Sequence, residues 1–542
     1  MAQLLDLFGF LAVVLRALIL AFGSIAIGGV TFYRFVWQGP IDGAEQGETK
    51  TGLRLMAVVA VCLAATQSFY LLANTAILRS TAGLTVAEIT GAGFFLWGCI
   101  SLFASLALAV LVFDKRVTDW MAFACCACIL AASVGTSHAA ARLDHQILLL
   151  AGTAAHQGAT AFWIGGLPYL LLSLRGLDDS TTAIALARRF SYLALLSVGA
   201  LVCGGILLSY FYLGSVEAIY GTNYGLMLSA KVLLFGMIML FGALNFKLVR
   251  QLNRGENTLL LRLRRFGEAE IGIGITVVLA AASLTSQPPG ADLPLDRVQW
   301  ATIADRMTPR APRMTTPPLS TLSPSSREQW KKEHAAMSSS QSFVPGQSYT
   351  PPTEGDIEWS EYNHHWAGLV VLVMGVLAVL SRFSRFRWAR HWPLAFIGLS
   401  VFLLLRADPE NWPLGPSGFW ESFSSADVSQ HRLFVLLILM FAAFEWGVQT
   451  GRLTSQKAAL VFPVVCAAGG AMLLTHTHAL ANIKEELLAE FSHVPLALLA
   501  VMAGWARWLE IRLPGSGKQL AGRIWPVCFA LIGVVLLLYR EA

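Results

Sequence analysis

Apolar stretches of about twenty residues recur along nearly the whole chain, and each is long enough to cross a bilayer as a helix. Short polar connections separate them. The pattern predicts helices over residues 8–36, 53–78, 92–113, 118–137, 146–173, 191–214, 225–249 and 267–286. A long polar break follows, then helices over 366–382, 391–406, 433–450, 457–475, 490–511 and 524–540. The expectation is an all-α polytopic membrane protein, with about fourteen transmembrane helices in two bundles joined by a long extracytoplasmic loop. Residues 1–286 make an eight-helix unit and 364–542 a second module of about six helices. Between them, 287–363 is a Pro-, Ser- and Thr-rich linker, too polar to build a core, with one short helix near SREQWKKEHAAM. The N-terminal apolar stretch reads as the first span rather than a cleaved signal.

Orientation follows from Lys and Arg in the short loops. The connection after the seventh helix carries Lys247, Arg250, Arg254, Arg262, Arg264 and Arg265. Connections of the same parity hold Lys115 with Arg116, Arg188 with Arg189, Arg382 to Arg390, Arg452 with Lys457, and Arg507 to Arg523. These belong in the cytoplasm, so both termini lie outside. The opposite loops are acidic or neutral.

Composition agrees. Of 542 residues, 56% are hydrophobic and only 13% charged, against about 25% charged in ordinary soluble domains. The net charge of +6 comes from the basic loops, so it is no argument for a nucleic-acid partner; the surroundings are membrane lipid. All eight cysteines fall within apolar runs, and no disulfide framework is indicated. No Walker A motif, dinucleotide fingerprint, HExxH, CxxCH or Ser-His-Asp arrangement is present, so the chain is not expected to be an enzyme.

The chemistry lies in the histidines. Of the eleven, only His391 falls on the cytoplasmic side. His138, His145 and His156 crowd one stretch, SHAAARLDHQILLLAGTAAHQGATAFWIGGL, and His156 sits inside an apolar run, where a polar group asks for a reason. His145 and His156 are eleven residues apart, near three helical turns, and share a face if the helix begins early. His476 and His478 end one later helix and His493 opens the next, which repeats the arrangement in the second module. Converging imidazoles suit copper, zinc or a haem iron. His156 is the first candidate ligand, with His138 as its partner, against a purely structural contact between helices. The second set is His476, His478 and His493, two of which could simply face water. His364 and His365, beside Glu358 and Glu361, read as a solvated face rather than a site. Cys125, Cys126 and Cys128 are soft donors that packing explains better. Glu268, Glu270 and Glu445 could be exit ligands or partners of arginines.

HQGATAFWIGGL resembles the signature of the copper resistance protein D (CopD) family, a histidine followed by Trp-x-Gly-Gly-Leu. SHAA before it, RRFSYLALLSVGALVCGGILLSY and TNYGLMLSAKVLLFGMIMLFGALNF after it, and a helix with Glu268 and Glu270 closing on TSQPP agree in order. The resemblance covers roughly residues 1–290; residues 364–540 look like an extra module of longer members. It implies a bacterial inner-membrane protein that takes up copper from the periplasm, with a periplasmic copper-carrier protein as partner. Haem b held by two histidines in a membrane redox protein is the alternative.

Overall fold

The structure, a computed structural model, describes residues 2–37, 47–175, 180–251, 257–322, 353–423, 426–474 and 484–541. Among them every regular element is helical and there is no strand. The long helices are α1 (Ala2–Thr31), α2 (Gly47–Thr81), α3 (Gly93–Phe113), α4 (Trp120–Gly135), α5 (Gln146–Trp163), α6 (Ser180–Leu213), α7 (Asn223–Gln251) and α8 (Asn257–Leu284). After these come α9 (Glu354–Leu380), α10 (Ala395–Arg406), α11 (Ala426–Gln449), α12 (Val461–Leu473), α13 (Lys484–Arg512) and α14 (Gly515–Leu537). Among the described residues thirteen helical segments are long and apolar enough to cross a membrane, and α4 is a shorter apolar helix. The chain is an all-α, multi-pass membrane protein.

It divides into two compact units, one of residues 10–219 with 231–294, the other of 1–9, 220–230 and 295–542. In the first, α2 packs on α3, α3 on α4, and α5 on α6. Lipid is as apolar as leucine, so helices in a bilayer associate by close approach rather than by hydrophobic burial, and small residues permit it. The break after Trp163 shows this. Gly165 and Gly166 interrupt α5 before a further helical turn, Leu167–Ser173, and α1 crosses there at Gly28 in direct backbone contact. Arg16, a cation inside an apolar helix, reaches the Thr136 carbonyl at the end of α4 (2.8 Å), where the helix dipole favours positive charge.

In the second unit, α9 packs on α14, α14 on α13, and α13 on α12. Its core is aromatic: Trp392, Phe396, Phe462, Trp525 and Phe529 are buried together. Thr353 and Asp356 form a reciprocal cap, Thr353 N–H donating to Asp356 Oδ2 (2.9 Å) and Asp356 N–H to Thr353 Oγ1 (3.2 Å). That cap starts α9 at Glu354, where the apolar pattern alone places the start at 366. Part of the expected linker packs on α9: Arg313 N–H donates to His365 Nδ1 (2.7 Å) and Trp366 Nε1 to the Met314 carbonyl (3.1 Å). The segment SREQWKKEHAAM lies outside the described residues.

A charged cluster closes the other end of this unit. Arg507 donates to Glu510 (2.7 Å) and Glu445 (3.3 Å), Arg382 Nη2 to Glu510 (3.0 Å), and Trp525 Nε1 to Glu510 (2.7 Å). Glu445 is therefore a partner of arginine, one of the two roles expected of it.

Candidate functional site

His156 lies in the middle of α5 and its ring rests on α6. Its Nδ1 is 3.0 Å from the Leu201 carbonyl oxygen. A carbonyl can only accept, so Nδ1 carries the proton and Nε2 keeps its lone pair, the form in which imidazole ligates metals. The seat is a pair of glycines: a Cβ on Gly204 would lie 3.2 Å from His156 Cβ, and one on Gly205 would lie 3.5 Å from Cε1. Lys231 of α7 is the cation that acts on this ring.

His138 opens a short helix, His138–Ala141, between α4 and α5. The ring donates to the Leu284 carbonyl, and its Nε2 is buried with no hydrogen-bond partner among the described residues. Burial, then the charge of Arg16, holds its pKa below the usual histidine value, so it too stays neutral. Around it stand the Tyr212 ring, 6.1 Å away, and the ion pair of Arg142 with Asp292. The sequence does not mark Asp292, which lies more than a hundred residues downstream in what reads as linker.

His145 departs from the expected face. The helix begins at Gln146, and His145 precedes it as an exposed cap residue with left-handed backbone (φ 55°), its ring 5.0 Å from Phe211. Helical periodicity therefore does not bring it level with His156. No ring contact joins any two of His138, His145 and His156. Among the described residues no group of three or more His, Cys, Asp or Glu side chains is placed to hold a metal ion. Cys126 is buried while Cys128 is exposed, so the CCAC run points in several directions.

Behind His156, Trp163 of the signature donates its indole N–H to Glu270, which also accepts from Asn245. Glu270 is 2% exposed. The tryptophan of the motif is thus a hydrogen-bond donor to a carboxylate on α8. Glu268, by contrast, pairs with Arg265 (2.5 Å) and Arg175 (3.5 Å), one of the two roles the sequence leaves open to it.

In the second unit His476, His478 and His334 lie outside the described residues. His493 is 8% exposed and its ring centroid is 6.3 Å from that of His364. The solvated face expected for His364 and His365 is not what forms. His365 is 4% exposed, accepting from Arg313 N–H at Nδ1 and donating from Nε2 to the Tyr539 carbonyl (2.8 Å). Arg313 takes up Glu358 and Glu361, and the extended segment before α9 covers the face that the sequence leaves to water.

Residues 184–284 match the family described as copper resistance protein D, CopD. The chain is also similar to the copper transport protein CutJ of Bacillus subtilis (strain 168), 33% identical over 163 residues, which is 30% of this chain and 29% of that protein. The chain thus matches about three tenths of the length of that curated relative. No solved structure matches the chain. The matched family segment holds Leu201, Gly204, Gly205 and Lys231, which are the seat of His156, together with Glu270.

Proposed function

We propose that this chain, a CopD-family protein by its segment 184–284, carries copper across the bacterial inner membrane from the periplasm inwards, with His156 as the ligand at membrane depth. One observation carries the reading: the family segment builds the seat that locks His156 Nδ1 on Leu201 and leaves Nε2 for an ion. A site for passage must release what it binds, and a lone neutral imidazole beside a lysine does so more readily than a closed cage. His138, also neutral and with a buried Nε2, is the preceding station on the outer side, and a periplasmic carrier delivers the ion there. Transport, rather than a chemical step, is the activity. Cells or proteoliposomes holding the full chain accumulate copper; His156→Ala abolishes the gain over empty controls, whereas His145→Ala keeps most of it. Equal accumulation by the His156→Ala protein would overturn this function.

A further inference from the structure

The second unit carries a pair of imidazoles that the CopD segment does not include. His364 lies on α9 and His493 on α13, at the end of this unit opposite the Arg507–Glu510 cluster. Their ring centroids are 6.3 Å apart, with planes at 50°. The His364 ring is oriented through Nδ1. His364 Nδ1 is 2.8 Å from the Ser360 carbonyl, which fixes the proton there and leaves Nε2 as the ligating nitrogen. His493 Nδ1 stands 3.6 Å from Glu490 Oε1, longer than a hydrogen bond but close enough to put the carboxylate's charge beside the ring. Tyr539 stacks on the face of His364 (3.8 Å, 22°) and lies 5.8 Å from His493. Stacking covers a face and leaves the edge, where a metal binds.

A second observation points to a cation. Glu490 is 2% exposed, and neither of its carboxylate oxygens has a hydrogen-bond partner among the described residues. A buried carboxylate without donors is costly unless a positive charge sits nearby. Glu541, the neighbouring acid, is already engaged by the Ser360 and Tyr539 hydroxyls.

We infer that His364 and His493 hold a single monovalent copper ion between their Nε2 atoms, with Glu490 balancing its charge. Two metal–nitrogen bonds of about 2 Å in line put the ring centres about 6 Å apart, close to the separation found. Zinc in structural sites takes four ligands, and among the described residues no third His, Cys, Asp or Glu completes a group here; Cu(I) accepts two. Neutral imidazoles bind it without losing a proton. The choice of ion rests on the copper reading above, but the site is separate from His156.

The test is titration of the purified full-length protein with Cu(I) against a chromophoric Cu(I) chelator, beside parallel zinc titrations. With the outer station removed throughout by His138→Gln, the otherwise wild-type chain binds two equivalents. His364→Gln and His493→Gln, which keep side-chain volume and a donor, each bind one; Glu490→Gln keeps two but loosens one about tenfold. His156→Ala also drops to one, and its remaining equivalent disappears in the triple variant with His364→Gln and His493→Gln. Two equivalents retained by both Gln variants, with unchanged melting temperature, would overturn the second site while leaving His156 standing. Zinc bound more tightly than Cu(I) at these residues would overturn the assignment of the ion. Loss of copper from His364→Gln but not from His156→Ala would sustain this site and refute the other.

Discussion

Gly28 on α1 faces Gly165 so closely that a Cβ on Gly28 would lie 2.2 Å from the Gly165 carbonyl carbon, and one on Gly165 would lie 1.9 Å from the Ser24 carbonyl oxygen. Both neighbours are backbone, so neither can swing aside. The Gly-Gly of the signature is therefore the point where two helices cross at contact distance, and it fixes the segment that carries His156.

Gly165→Ala should destabilise the protein by about 3 kcal/mol or more, since the backbone itself must move. Gly199→Ala, on α6 with nothing within 4 Å of the added carbon, should be neutral or slightly stabilising, as alanine favours the helix. Thermal unfolding in detergent separates the two.

Lys231→Met removes a cation that acts on His156. A like charge at intermediate dielectric is worth about 1 kcal/mol over several Å, so copper affinity at His156 should rise roughly three- to tenfold. Chelator competition measures this, and tighter binding with slower transport is the combined outcome expected.

Arg507→Met leaves Glu445, 2% exposed, without its guanidinium. Stripping one partner from a buried pair costs about 3–5 kcal/mol. Adding Glu445→Gln in the same chain should restore part of that loss, as read in a double-mutant cycle of melting temperatures.

His138 is held neutral in the folded protein, its pKa below the ordinary histidine value of about 6.5. The unfolded chain takes up a proton near that value while the folded chain refuses it until a lower pH. Stability from this residue is thus fully present above the unfolded value and lost as pH falls from there through the lower folded value. Metal-free wild type should lose melting temperature between neutral pH and pH about 5 more steeply than His138→Gln.

Much of the fold is legible in the sequence because the bilayer demands a simple pattern. Each apolar stretch corresponds to a helix, including the short α4 and α10. The start of α9 is not legible, because Thr353 and Asp356 set it with a cap among polar residues that dilute the apolar signal. His156 stands out because a polar ring in an apolar run has few explanations. The face of His145 is misjudged because one left-handed residue ends helical periodicity just before Gln146. The pairing of His364 with His493, and of Trp163 with Glu270, joins residues more than a hundred positions apart, which periodicity along one helix cannot reveal. His365 looks solvated because the segment around Arg313 and Met314 that packs on it is polar in composition, and His364 because His493 and Tyr539 lie far along the chain.

The most direct measurement is copper content and copper K-edge absorption of the purified full-length protein, wild type beside His156→Ala, with an optical spectrum of each. The account predicts copper bound by imidazole nitrogen in wild type, one equivalent fewer in the variant, and no Soret band in either. Equal copper in both proteins, or a Soret band that vanishes with His156, would contradict it.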